Sequence, residues 1–220
     1  MRIVLSLGGS VFEGDAERIR SYAEVLDKIS ENNKLFVVVG GGKLAREIIK
    51  KARELGANET MCDYLGIAVT RINAMLLAYA MKNSAKKIPE NFIEAEELSR
   101  SYKAVVMGGT FPGHTTDATS VLLAEFVNAD IFLNATSVDA IYSEDPKKNP
   151  NATKFDKISS KDLIKLVASS SMEAGANVVI DLLSAKLIER SKIKTIVFKG
   201  EPENILKVLR GEKIGTVVEP

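Results

Sequence analysis

Leu35-Phe36-Val37-Val38-Val39-Gly40-Gly41-Gly42-Lys43-Leu44-Ala45-Arg46 is the stretch that sets the architecture of this chain. Its first five residues are apolar without alternation, the pattern of a strand buried on both faces. Three glycines end the strand, and helical period then runs from Leu44 to Leu55. Strand, tight turn and helix in that order make half of a βαβ unit. The pattern recurs along the chain. Strand-length apolar runs lie at Ile3 to Leu7, Ala104 to Met107, Ile131 to Leu133 and Thr195 to Phe198, with helical segments at Ile19 to Ile29 and Val121 to Val127. The expected fold is therefore α/β, with a mostly parallel sheet covered by helices on both sides.

The 220 residues suffice for one large domain or two small lobes, and neither a low-complexity linker nor an internal repeat divides them. A lobe boundary is expected near Asn134. Thirty basic residues against 29 acidic ones leave a formal charge of +1, without the basic excess that binding to a nucleic-acid backbone requires. The single cysteine, Cys62, can form no internal bridge, so a reduced cytoplasm is the simpler home. The opening Met1-Arg-Ile-Val-Leu-Ser-Leu-Gly is too short an apolar run for a signal segment and reads as a first strand. Tyr64 to Met81 is the most apolar segment, but it carries Arg71 and Asn73 and reads as a buried helix rather than a membrane span. Ser143 to Lys154, rich in prolines and charges, reads as an exposed loop.

Gly8-Gly9, Gly40-Gly41-Gly42 and Gly108-Gly109 each follow a strand at its carboxyl end, where ligands of open α/β sheets gather. One such turn is ordinary packing. Three are more than packing demands, because glycine lets backbone N–H groups approach an anion closely. The second turn adds Lys43 and Arg46 to a helix N-terminus, a combination suited to phosphate. No P-loop string occurs in the chain. Gly40-x-Gly42-x-x-Ala45 matches a dinucleotide fingerprint formally, with Asp63 at the spacing of its acid, yet the residues before Asp63 do not form a strand.

The third turn continues as Thr110-Phe111-Pro112-Gly113-His114-Thr115-Thr116-Asp117 into an apolar helix from about Ala118. One Thr or Asp is enough to cap that helix, and the rest of the string suggests ligand contact. His114 is the only histidine and has no partner identifiable from sequence, so it is assigned contact duty alone. Downstream, Asn134-Ala-Thr136-Ser137-Val138-Asp139-Ala-Ile-Tyr142-Ser-Glu-Asp145-Pro146 mixes hydroxyls, acids and an aromatic at another strand end. Such a run can be a plain polar loop, or it can hold a nucleoside between ring and carboxylate. One cysteine and one histidine rule out a Cys/His metal site, which leaves Mg²⁺ carried in by a nucleotide.

Taken in order, these segments resemble the amino acid kinase superfamily, and specifically the archaeal-type UMP kinases, over essentially the whole chain. The likeness rests on Gly40 to Arg46, Thr70-Arg-Ile-Asn-Ala-Met-Leu-Leu77, Gly108 to Asp117, the Val138 to Pro146 run and Gly215-Thr-Val-Val-Glu-Pro220. It implies a single three-layer α/β/α domain over residues 1–220, with an acceptor part of roughly 1–130 and a donor part of roughly 131–220. It also implies transfer of phosphate from ATP to UMP in pyrimidine nucleotide synthesis, and a homohexamer built as a trimer of dimers, with Tyr64 to Met81 in the interface. By the same resemblance Gly8, Gly9, Ser10, Gly42 and Arg46 would surround the ATP phosphates, and Thr136, Ser137, Tyr142 and Asp145 would hold the rest of ATP. The UMP phosphate would face Gly41 and Arg46, its ribose Asp63, and its phosphate and uracil the segment Phe111, Pro112, Gly113, His114, Thr115, Thr116 and Asp117.

Many members of the superfamily carry a lysine two residues before the first Gly-Gly, where this chain has Ser6, and a second family lysine corresponds to Asp181. Phosphoryl transfer needs alignment and charge dispersal more than covalent help, and a phosphate acceptor, with a second pKa of ~6, is already ionised near neutrality. Arg46, Lys43, the glycine N–H groups and nucleotide-bound Mg²⁺ are therefore the expected neutralising set. Two other classes fit parts of the pattern: an oxidoreductase reading Gly40 to Ala45 as its fingerprint, and a nucleotide sensor without catalysis.

Overall fold

The computed structural model describes residues 1–144, 146, 149–170 and 179–220. In chain order the elements are β1 (Arg2–Leu7), a 3-10 helix (Gly9–Glu13), α1 (Ala16–Ser30), β2 (Lys34–Val39), α2 (Gly42–Glu54) and α3 (Glu59–Ala80). Then come α4 (Phe92–Ser101), β3 (Ala104–Met107), α5 (Thr116–Phe126), β4 (Ile131–Thr136), β5 (Lys157–Ser159) and α6 (Ser160–Ser170). The chain closes with α7 (Leu182–Ser191), β6 (Thr195–Lys199), α8 (Pro202–Leu209) and β7 (Thr216–Glu219). The strands form one seven-stranded sheet in the order β3-β2-β1-β4-β6-β7-β5. Pairing is parallel throughout except between β6 and β7.

The unbroken apolar runs follow directly from this arrangement. Successive strand residues point to opposite faces, and both faces are covered. Ile3, Leu5 and Leu7 of β1, with Leu35, Val37 and Val39 of β2, pack under α1, α3 and α8 beside Leu26, Leu77 and Ile205. Val4, Phe36, Val38, Val105 and Phe132 pack on the other side against α4, α5, α6 and α7, meeting Ala95, Val121, Leu163 and Ile188. The result is the expected three-layer α/β/α sandwich. α2 lies outside both layers: it buries only Ala45 and Ala52 and packs on α3 and the 3-10 helix.

The position expected to bound two lobes, Asn134, sits inside β4, which pairs with β1 on one side and β6 on the other. β5 and β7 are strands that the apolar runs did not announce, and β7 turns antiparallel after α8. α3 corrects the expectation of a buried helix. One side carries Thr70, Asn73, Ala74 and Leu77 into the core, while Met61, Tyr64, Leu65, Ile72, Leu76 and Tyr79 are exposed on the other. By length and composition it is the one described helix apolar enough to cross a membrane, a test that core helices also pass.

Candidate active site

β1, β2, β3 and β4 are parallel neighbours, so their carboxyl ends reach one edge of the sheet and deliver the glycine turns side by side. Gly40 N–H donates to the Leu7 carbonyl at 2.9 Å, and Gly8 N–H to the Ala135 carbonyl at 3.3 Å. The first two turns then press backbone on backbone. A Cβ on Gly9 would lie 2.0 Å from the Gly42 nitrogen, and one on Gly42, whose φ is +63°, would lie 2.5 Å from the Gly9 carbonyl oxygen. Side chains at either position would close this contact.

The N-terminus of α2 differs from its neighbours. α1, α3, α4, α5 and α7 are capped by their own residues Asp15, Asn58, Asn91, Thr115 and Asp181, each accepting a first-turn N–H. α2 has Gly41 at its N-cap and so no capping side chain of its own, leaving first-turn donors and the positive end of a helix dipole facing the glycine turns. The Lys43 N–H is taken instead by Glu13 Oε1 at 2.8 Å, and the Arg46 guanidinium reaches the same oxygen at 3.3 Å. Arg46 thus stands at the start of α2, beside the glycine turns. The Lys43 ammonium is turned away, 3.8 Å from Glu47 one helical turn on, so here Lys43 contributes its backbone rather than its charge. Ser10 is exposed on the 3-10 helix beside this nest.

Across the cleft, α3 fastens the other turns. Asn73 Nδ2 donates to the Gly40 carbonyl at 2.8 Å, and Thr70 Oγ1 accepts the Gly109 N–H at 2.8 Å. Asp63 stands on α3 and accepts the Gly113 N–H at 2.8 Å, tying the helix to the segment that holds Phe111, Pro112 and His114. The Phe111 and His114 rings lie 6.3 Å apart with Phe111 open to solvent. Thr115 caps α5 and donates its hydroxyl to Asp181 at 2.6 Å, and Thr116 is the first residue of that helix. Asp117 accepts the buried Ser6 hydroxyl at 2.7 Å. Ser6 is therefore a hydrogen-bond donor to the first turn of α5.

Residues 1–199 match the family model described as the amino acid kinase family. The chain belongs to the amino acid kinase family. It is 62% identical to the uridylate kinase of Archaeoglobus fulgidus across 99% of its own length and all of that protein. It is 52% identical to the uridylate kinase of Methanocaldococcus jannaschii over the whole of both chains. The crystal structure of the Archaeoglobus enzyme superposes with a TM-score of 0.93, covering 99% of this chain and 100% of that one. A UMP kinase structure from Ureaplasma parvum gives a TM-score of 0.83 at 26% identity, covering 100% of this chain and 99% of that one. Asp63, which would be the acid of a dinucleotide fingerprint, stands on a helix rather than at a strand end, in keeping with this family.

On the far side of β4, this amino acid kinase chain places its second polar run. Thr136 Oγ1 accepts the Val138 N–H at 3.0 Å and so shapes the turn, while Ser137 is exposed. The Tyr142 hydroxyl donates to Asp139 at 3.0 Å, and Asp139 pairs with Lys154 at 2.9 Å. The lysine holds the Asp139 carboxyl below the usual carboxylate range. Tyr142 and Lys154 also form a β-bridge, which closes the expected loop on itself. Asp145 lies outside the described residues. Among the described residues no group of three or more His, Cys, Asp or Glu side chains is arranged to hold a metal ion.

Several of these residues escaped the reading of the sequence: Glu13, Thr70, Asn73, Lys154 and the Ser6–Asp117 pair. Thr70 and Asn73 stood inside a quoted motif without a role. For Glu13, no local signal separates it from any other acid at the end of a turn.

Burial pushes the Asp117 carboxyl up from 3.8 to about 6, with the nearby Asp181 adding to the rise and Ser6 opposing it. Below about pH 4 the group is neutral in both folded and unfolded chains. As the pH climbs through about 6 the folded chain must ionise a buried acid, and stability is lost. Asp117→Asn removes that titration. Its unfolding free energy, relative to the parent, is expected to improve by up to about 3 kcal/mol between pH 4 and pH 8, at roughly 1.4 kcal/mol per pKa unit. Urea unfolding of both proteins across that range checks it, and a difference independent of pH contradicts it.

Proposed function

We infer that this chain moves the γ-phosphoryl group of ATP onto UMP, yielding ADP and UDP. The observation that carries the reading is the 62% identity with a uridylate kinase over essentially the whole chain. The geometry suggests how it would work. The N–H groups around Gly9 and Gly42, the N-terminus of α2 and the Arg46 guanidinium converge at one sheet edge and would hold the phosphates of both nucleotides. Donor and acceptor would enter from the two parts of the chain and meet over β1 and β4. Asp63 and the Phe111 to Asp117 segment would bound the UMP side, with Thr136, Ser137 and Tyr142 on the ATP side. Mg²⁺ bound to the ATP phosphates would supply further neutralisation, and the described residues offer no cage of their own for it. Little else is required of the protein, since an in-line transfer between phosphates is mainly positioning and charge dispersal.

Initial rates with Mg·ATP across UMP, CMP, dUMP, acetylglutamate and carbamate test the reading. UMP is expected to dominate kcat/KM, and a preference for a carboxylate or carbamate acceptor would overturn it.

The exposed side of α3 supports assembly into a homohexamer through dimers. Met61, Tyr64, Leu65, Ile72, Leu76 and Tyr79 form one apolar stripe along a 22-residue helix, more than a lone surface helix ordinarily leaves in water. Sedimentation of the intact protein at micromolar concentration is expected to show the hexamer, and a monomer would remove the proposal.

A further inference from the structure

We propose that Glu13 is the resident occupant of the phosphate cradle, a carboxylate that must leave before a nucleotide's polyphosphate can enter. This rests on the reading of the α2 N-terminus as the phosphate site and adds a competitor to it. One oxygen, Oε1, accepts from the Lys43 N–H at 2.8 Å and from Arg46 at 3.3 Å. The same oxygen lies 3.2 Å from the point a Gly42 side chain would occupy, next to the Gly9 carbonyl oxygen at 2.5 Å from that point, so it sits directly against the close approach of the two turns. A carboxylate there presents to these donors the same charged oxygen that a phosphate would, and two anions cannot share the place.

The location of Glu13 in the chain sets it apart from a cap. It is not the N-cap of α2, as Asp15 or Asn58 is for its own helix. It comes from thirty residues earlier, as the last residue of the 3-10 helix that follows the Gly8-Gly9 turn. The described bonds of its side chain are those to Lys43 and Arg46, and the side chains of the ion pair are 37% and 73% exposed, so the carboxylate can swing into solvent without breaking the core. Glu13 is thus a positioning residue. It ties the glycine turns to Arg46, and it raises the concentration of donor needed to fill the cradle.

The test is the intact protein carrying Glu13→Gln, with Glu13→Ala beside it, titrated calorimetrically with inorganic tripolyphosphate and then assayed with Mg·ATP and UMP. Both variants are expected to bind tripolyphosphate about fivefold more tightly than the parent, the scale of exchanging one charge-assisted contact for a neutral one. The gain should reappear as a lower Michaelis constant for ATP, a split that a purely structural tie does not produce. Unchanged or weaker tripolyphosphate binding overturns the proposal, as does the failure of both variants to fold, which makes Glu13 a structural brace. A parent protein that does not phosphorylate UMP would defeat the functional reading instead, and the tripolyphosphate titration, which needs no acceptor, would still decide the role of Glu13.

Discussion

Replacing Arg46 by alanine is expected to lower kcat by about two orders of magnitude, the usual loss on removing one donor aimed at developing charge. Among the described residues the guanidinium is the side-chain cation placed at the glycine nest, since the Lys43 ammonium faces Glu47. Its charge therefore has no substitute close by among the described residues. The effect should be confined to activity. Arg46 is largely exposed, and its pair with Glu13 is a surface contact of the kind worth about 0–1 kcal/mol, so the melting temperature should scarcely change. Single-turnover rates and thermal melts on the same preparation separate the two effects. A variant within threefold of the parent in kcat would take Arg46 out of the mechanism.

Gly9→Ala should do more damage still, because it acts on activity and stability together. The new Cβ would sit 2.0 Å from the Gly42 nitrogen, 2.5 Å from its Cα and 2.7 Å from the Gly41 carbonyl carbon, all backbone atoms that cannot rotate away. Ordinary contact begins near 3.4 Å, so one of the two turns must retreat by more than an ångström. Misplacement on that scale costs about 100-fold in rate, and forcing an extra methyl into a packed contact costs about 1–3 kcal/mol. Gly8→Ala is the matched control: its Cβ would meet the Ala135 carbonyl oxygen at 3.6 Å, an ordinary contact, and its φ of −56° suits alanine. Chemical unfolding should find Gly8→Ala within about 1 kcal/mol of the parent. Equal damage at both positions would show that the close approach of the two turns is not what matters.

What the sequence made legible follows from which forces are local. The strands at Ile3 to Leu7 and Leu35 to Val39 announced themselves because both faces are buried and every residue but Ser6 is apolar. β5 spans only Lys157–Ser159 and β7 pairs along Thr216–Glu219, so neither carries enough apolar residues to stand out from a loop. β4 is longer than its apolar run for a related reason: it continues through Asn134 and Thr136, polar residues that end at the cleft. α3 was read as buried because composition records how apolar a helix is, not which side this chain covers. In the candidate site, the glycine turns and Arg46 were legible because close backbone approach restricts the residue type at each position. Ser6 with Asp117, and Glu13 with Arg46, are pairs joined across 111 and 33 residues, and nothing short of the folded sheet brings them together.

Whether the sheet-edge amides and Arg46 receive phosphate is decided by a crystal structure with UMP and a non-hydrolysable ATP analogue. Phosphate oxygens are expected at hydrogen-bonding distance, about 3 Å, from the backbone at Gly9 and Gly42 and from the Arg46 guanidinium, with Glu13 displaced. Both nucleotides bound elsewhere, with the Glu13 carboxylate still on Lys43 and Arg46, would contradict it.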